Sequence, residues 1–239
     1  MQTEIKTETI RTLRNGVRLN FLRSAEIPPP EKFLSASELE KCSGFKIEKR
    51  KSDWLGGRYA AKTLLREILE LPLSLCKIEI TYDLFGRPVW RGGSGPHLIS
   101  ITHSGPFCAA AAKTEPCVFL GIDLEKAEPR VKPWYEDYFH KEELHLQVTS
   151  NRYPATIHPV TDYRSPATIH LATRLWTEKE ALLKALGLGL KADPLDIKIG
   201  KEIQFSNAAL KRYEELGRPE YLLETSRLET GYYLSAVAD

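Results

Sequence analysis

The chain has 239 residues, with 34 Lys and Arg against 32 Asp and Glu, a formal net charge of +2; 42% of its residues are apolar and 28% charged. That balance belongs to a globular chain with a core to bury, and it excludes a disordered tail, a coiled coil and a collagen-like repeat. Near-neutral charge argues against a dedicated nucleic-acid binder, whose affinity rests on neutralising phosphates. Apolar runs such as Phe107–Ala112 are far too short to cross a bilayer.

Met1–Asn15 alternates charge with Thr and Ile and lacks the apolar centre of a signal peptide. Cys42, Cys76, Cys108 and Cys117 form no Cys-x-x-Cys pair, which predicts reduced thiols in a cytoplasmic chain. Pro28-Pro29-Pro30 predicts a surface loop. A short helix is expected from Ser37, where Ser37-Glu38-Leu39-Glu40 reads as a capping box. A longer one is expected over about Trp54–Leu69, N-capped by Asp53 and stopped by Leu71-Pro72, with Leu55, Tyr59, Leu65, Ile68 and Leu69 at helical spacing.

Strands are predicted at Ile78–Tyr82, His97–Thr102, Phe107–Ala112 and Val118–Leu124, with a turn at Gly92-Gly93-Ser94-Gly95-Pro96. The stretch Thr149–Pro166 is read as a loop. Pro-Ala-Thr-Ile-His occurs twice, at 154–158 and 166–170, as a local duplication or a hairpin pairing with itself would explain. Two histidines do not close a metal site. A second helix is expected over about Thr177–Leu186, ended by Gly187 and Gly189. Strands at Ile197–Ile199, Ile203–Phe205, Tyr221–Thr225 and Gly231–Val237 complete the chain. Helices and strands mix without strict alternation, so the class is α+β.

Trp54-x-x-x-Arg58-x-x-x-Lys62 and Trp176-x-x-x-Glu180-x-x-x-Lys184 superpose without a gap. With the length, this suggests two related halves, 1–115 and 116–239, each built around one helix. Arg58 in one stands where Glu180 stands in the other. A cationic half facing an anionic half is what a metal–phosphate cleft needs.

Asp123 and Glu125 in Gly121-Ile122-Asp123-Leu124-Glu125 share one face of a strand. Side by side they repel unless a cation sits between them, and carboxylates completed by water and phosphate describe a Mg²⁺ site. Taken alone, the fragment fits two solvated carboxylates at a strand exit better. Glu180 and Lys184 lie one turn apart on a helix, equally an ordinary ion pair with Thr177-x-x-Glu180 as a capping box. His103, between Thr102 and Ser104-Gly105, sits among small donors that let a backbone approach a phosphate. Leu84-Phe85-Gly86-Arg87-Pro88 is a turn presenting one arginine.

In this order, Gly-Arg-Pro at 86–88, Ile-Thr-His-Ser-Gly at 101–105, Gly-Ile-Asp-Leu-Glu at 121–125 and Trp-Thr-Glu-Lys-Glu-x-x-x-Lys at 176–184 resemble the surfactin-synthetase type of 4′-phosphopantetheinyl transferase. The resemblance covers roughly residues 35 to 200, and the last two motifs together are its most specific part. It implies a pseudo-twofold monomer of two α+β halves with the cofactor between them. It also implies Mg²⁺-dependent transfer of the phosphopantetheine arm of coenzyme A to a serine of an apo acyl- or peptidyl-carrier protein, in fatty-acid, polyketide or nonribosomal-peptide synthesis. Adenosine 3′,5′-bisphosphate is released.

By motif position, the resemblance makes Asp123, Glu125 and Glu180 the metal ligands. Lys184 and His103 contact cofactor phosphates with Thr102 beside them, and Arg87 lies near the adenine or its phosphate. Lys41, Arg50, Arg58 and Lys62 form the 3′-phosphate patch. Glu180, a metal-bound water or Glu143 is the general base. Two features depart from the pattern: Glu38 falls where some relatives carry a phosphate-contacting lysine, and the segment Gln147–Leu171 looks longer, near the expected carrier contact. A non-catalytic module binding coenzyme A or a carrier is the alternative, and the absence of a Gly-x-x-x-x-Gly-Lys loop argues against a P-loop enzyme.

Overall fold

Two 21-residue helices cover the outer faces of two antiparallel sheets stacked against each other in the computed structural model, which describes residues 10–92, 95–150, 153–159, 162–228 and 231–239. The first nine residues of the predicted N-terminal alternation, the Gly93-Ser94 tip and parts of the Thr149–Pro166 stretch lie outside the described residues.

In chain order the first half runs β1 (Arg11–Thr12), β2 (Arg18–Arg23), α1 (Ala36–Ser43), α2 (Glu48–Ile68), β3 (Ile80–Tyr82), β4 (Pro88–Gly92), β5 (Gly95–Leu98), β6 (Ser100–Ser104) and β7 (Phe107–Ala112). The second runs β8 (Leu120–Lys126), α3 (Lys132–Tyr138), β9 (His145–Ser150), β10 (Tyr153–Pro159), α4 (Pro166–Leu186), β11 (Ile197–Ile199), β12 (Ile203–Phe205), α5 (Asn207–Glu215), β13 (Leu222–Arg227) and β14 (Tyr232–Ala238).

One connectivity occurs twice. The chain lays down a strand, crosses by a long helix, and returns as two strands of which the last pairs with the first. This gives the order β2-β7-β6 in one sheet and β8-β14-β13 in the other. The fold is therefore α+β with an internal repeat, as expected.

Strand β7 reads Phe-Cys-Ala-Ala-Ala-Ala and is buried along its whole length. Cys108, Ala110 and Ala112 meet Ala60, Ala61, Leu64 and Leu65 of α2, while Phe107, Ala109 and Ala111 meet the other sheet through Ile122, Leu124 and Leu234. Small residues are needed because both faces are covered at close range. The sheets are also laced by side chains: the amides of Ile122 and Leu124 in β8 donate to the hydroxyls of Ser100 and Thr102 in β6, at 2.9 and 3.1 Å.

Several boundaries differ from the sequence expectation. Helix α1 is capped by Ser35, whose hydroxyl accepts from the Glu38 amide while the Glu38 carboxylate accepts from the Ser35 amide. The capping box is thus Ser35–Glu38, two residues before the predicted cap. Helix α2 starts at Glu48, not Trp54: its first turns are polar and carry no apolar period, but a Lys49–Asp53 pair at 2.8 Å ties them together. Asp53 is an interior helical residue rather than the cap.

Helix α4 starts at Pro166, eleven residues before the predicted Thr177, with Ser165 accepting from the Thr168 amide and Pro166 at the first helical position, where its missing N–H costs nothing. Thr177 lies mid-helix and donates to the Thr173 carbonyl at 2.7 Å, so it caps nothing. Its predicted end is right: Gly187 adopts φ +75° and closes the helix. The repeated pentapeptide does not pair with itself. Its first copy lies in β10, hydrogen-bonded to β9, and its second forms the opening turn of α4. Identical residues diverge because Ser165 supplies an N-cap to one copy.

Strands β1, β2, β4, β9 and β10 and helices α3 and α5 escaped the sequence reading, and predicted His97–Thr102 is split between β5 and β6. No helix among the described residues is long and apolar enough to cross a membrane.

Candidate active site

Alternation along β8 divides its side chains between two neighbours. Leu120, Ile122 and Leu124 enter the core between the sheets, and Gly121, Asp123 and Glu125 are left on the α4 side. Helix α4 presses against this face. A Cβ placed on Gly121 would lie 1.9 Å from the Ala181 carbonyl oxygen, so only glycine admits the helix here. One turn brings Glu180 and Lys184 to the same side of α4.

Lys184 Nζ donates to Asp123 Oδ1 at 2.6 Å, and the Thr102 hydroxyl donates to the same oxygen at 3.0 Å. Asp123 Oδ2 is buried without a hydrogen-bond partner. Arg130 reaches Glu125 Oε2 at 3.2 Å. Burial, then the Asp123 charge, pushes the Glu125 carboxyl up to about 7 against the pull of Arg130. Burial and Asp123 likewise push Glu180 up to about 7. Burial would lower the Lys184 ammonium, but Asp123 and Glu180 outweigh it and hold it above its usual value.

These carboxylates suit a hard divalent cation: all the donors are oxygen, one buried oxygen is orphaned, and two carboxyls are kept from ionising freely by burial and the charge of Asp123. Among the described residues no three such groups are already gathered as a ligand cluster. Lys184 and Arg130 instead hold Asp123 and Glu125 as ion pairs.

Beside this lies a cleft of about 670 Å³ against α2, lined by Lys41, Lys49, Arg50, Trp54, Arg58, Tyr82 and His103 among others. Arg58 is 2% exposed and sits over the rings of Trp54 and Tyr82, with Nη2 donating to the Tyr82 hydroxyl at 2.7 Å. Its Nε and Nη1, and the indole N–H of Trp54, are buried with no hydrogen-bond acceptor. Arg58 Nε lies 3.9 Å from the buried Glu38 carboxylate, while Arg58 Nη1 and the Trp54 indole N–H, four residues apart on one helix, are left as donors for an anion. His103 lies 3.6 Å from Asp53, and burial lowers its imidazole more than Asp53 raises it. A smaller pocket of about 270 Å³ joins Arg87, Ser100, Lys184 and Lys191. There Arg87 is locked to Asp83 at 2.8 Å and donates to the carbonyls of Val118 and Ala185.

Three predicted site residues are not brought to these clefts. Lys62 is fully buried, bonded to the Glu38 carboxylate and to the carbonyls of Phe33 and Leu75. It neutralises Glu38 and lines neither cleft described above, so its assignment to the phosphate patch is corrected. Glu143 is enclosed with Lys179 at 2.8 Å and accepts from the amides of His140 and Ile199. With no exposure of its side chain, it has no path to a substrate hydroxyl, which corrects its reading as a base. Thr102 is 3% exposed and its hydroxyl serves Asp123 and the Leu124 amide, making it an orienting group rather than a phosphate contact.

Sequence reasoning gave Tyr82, Asp53 and Arg130 no role in the site. The i, i+4 spacing of Trp54 and Arg58 already put indole and guanidinium on one face; nothing local marks Arg130, which meets Glu125 from the segment between β8 and α3.

The family model described as 4′-phosphopantetheinyl transferase superfamily matches residues 119–236. The rat protein named L-aminoadipate-semialdehyde dehydrogenase-phosphopantetheinyl transferase is 25% identical, over 92% of this chain and 74% of that one. The holo-[acyl-carrier-protein] synthase of Staphylococcus carnosus is 32% identical, over 39% of this chain and 83% of its own length. Among solved structures, Helicobacter pylori holo-[acyl-carrier-protein] synthase in complex with coenzyme A aligns with 41% of this chain and 97% of its own, at 20% identity and a TM-score of 0.34. With a family model lying over β8, α4 and the closing strands, and a relative at this identity matched across most of its length, the chain belongs to the 4′-phosphopantetheinyl transferase superfamily.

Proposed function

We propose that this enzyme transfers the phosphopantetheine arm of coenzyme A to a serine of an apo acyl- or peptidyl-carrier protein, with Mg²⁺, releasing adenosine 3′,5′-bisphosphate. The observation that carries the reading is the meeting of Asp123 and Glu125 on β8 with Glu180 and Lys184 on α4, beside a cationic cleft. Asp123, Glu125 and Glu180 would hold the metal; when bound, it withdraws charge from the pyrophosphate oxygens and fixes their geometry.

Arg58, with Lys41 and Arg50 at the rim, receives the 3′-phosphate, and the rings of Trp54 and Tyr82 hold the guanidinium plane in place. Lys184 and His103 offer N–H donors to the leaving bisphosphate as its charge grows. Arg87 fixes the turn beside the adenine. The proton of the serine hydroxyl goes to a carboxylate at this site, and Glu180 in its ionised form is the candidate acceptor.

We assign residues 1–115 and 116–239 as the two halves, on the repeated connectivity, and the surfactin-synthetase type, because the similarity to the larger relatives runs over 92% of this chain. One chain supplies both halves of the cleft, which supports a monomer. The four free cysteines support a cytoplasmic setting.

The test is intact-mass measurement of an apo carrier protein incubated with this protein, coenzyme A and Mg²⁺, beside an Asp123→Ala control. A gain of one phosphopantetheine requiring both metal and Asp123 is expected. Coenzyme A binding without transfer to several unrelated carriers would instead favour a non-catalytic binding module.

A further inference from the structure

We propose that Arg130 is a displaceable counter-ion for Glu125, a positioning residue that occupies this carboxylate until a divalent cation takes it. The inference rests on the reading of Glu125 as a metal ligand. Arg130 Nη2 lies 3.2 Å from Glu125 Oε2, while Nη1 of the same guanidinium lies 3.4 Å from Glu128 Oε1. The guanidinium also sits 5.7 Å from the centre of the Trp134 ring. It therefore has two holds that do not depend on Glu125, one ionic and one aromatic.

Both partners have room to separate: the side chains of Arg130 and Glu125 are 35% and 24% exposed. A dication beside Glu125 repels the guanidinium and outbids it for the carboxylate. Arg130 then stays on Glu128 and Trp134 without being stranded.

The arrangement mirrors Lys184 on Asp123 across the same site, but the two cations differ in what they can do next. Lys184 lines the smaller pocket with Arg87 and Lys191, so it remains available to a phosphate once displaced. Arg130 lies on the far side, among Pro129, Val131, Lys132, Tyr163 and Arg164. Its effect is thus on cation affinity, not on the coenzyme.

The experiment titrates Mn²⁺ alone into the full chain, without coenzyme A, and reads free Mn²⁺ by electron paramagnetic resonance. It compares wild type, Arg130→Gln, Arg130→Lys, Glu125→Gln and the Arg130→Gln/Glu125→Gln double variant. Arg130→Gln is expected to bind Mn²⁺ about fivefold tighter, the scale of one partly exposed ion pair. Arg130→Lys, which keeps the charge, stays near wild type. Glu125→Gln binds more weakly, and adding Arg130→Gln to it changes nothing further, because the competition has lost its object. Glu125→Gln weakening the metal while Arg130→Gln leaves affinity unchanged or reduced overturns the role of Arg130 alone. Unchanged affinity in Glu125→Gln overturns the ligand reading itself and this inference with it.

Discussion

Lys184 Nζ stands 2.6 Å from Asp123 Oδ1, and this ion pair ties α4 to β8. Removing the cation strands a carboxylate that is 4% exposed and already has one oxygen without a partner. Lys184→Met should therefore cost the metal-free chain about 2 kcal/mol, below the range for fully enclosed pairs because the lysine is partly exposed. Thermal melting should show the loss, and added Mg²⁺ should recover most of it. A loss that Mg²⁺ leaves untouched would remove the metal from this site.

Stability of the metal-free chain should fall as pH rises from about 5 to about 8. Glu125 and Glu180 titrate near 7 in the folded chain, above the ordinary value of 4.5, so the unfolded chain surrenders these protons first. Their contribution is complete below the unfolded value and is lost through the folded one. Melting temperatures across this window, with and without Mg²⁺, should diverge towards high pH. In Glu180→Gln the slope should flatten; an unchanged slope would refute the assignment.

Arg58→Lys should raise KM for coenzyme A about tenfold while leaving kcat within about twofold. Lysine supplies charge but neither the planar stack on Trp54 and Tyr82 nor the Nη1 N–H group that has no acceptor. Steady-state kinetics with a saturating carrier separate the two constants. An effect confined to kcat would place Arg58 at the reacting atoms instead.

Lys62→Met and Glu143→Gln should behave as stability variants. Glu143→Gln leaves the buried Lys179 without its ion-pair partner, at a cost of about 3 kcal/mol, and Lys62→Met leaves the buried Glu38 with only Arg58 at 3.9 Å, at a somewhat smaller cost. Below their lowered melting temperatures, both should keep wild-type KM and kcat per folded molecule. Collapse of kcat in Glu143→Gln at full folding would restore it as the base.

The sequence carried the chemistry further than the scaffold. Asp123, Glu125, Glu180 and Lys184 stood out through the motif resemblance, and strand and helix periods added only which of them share a face. Strand β2 did not stand out, since Asn20 takes a core-facing position, where it bonds the Ala60 carbonyl and Thr63 on α2, and interrupts the apolar alternation. The fate of Lys62 was equally hidden: it follows Arg58 at helical spacing, yet Glu38 turns inward from α1 and claims it. A lysine bound for a phosphate and one bound for a buried carboxylate look alike along the chain. Only the packing of α1 on α2 separates them.

Gly121 gives the site a vulnerability that no ligand inventory reveals. The Ala181 carbonyl occupies the space a methyl group would need, and Glu180 belongs to that same turn of helix. The spacing of the three carboxylates is thus inherited from an interlayer gap set by a missing side chain. Substitution there should act as a wedge, parting Glu180 from Asp123 while every acidic residue remains in the sequence.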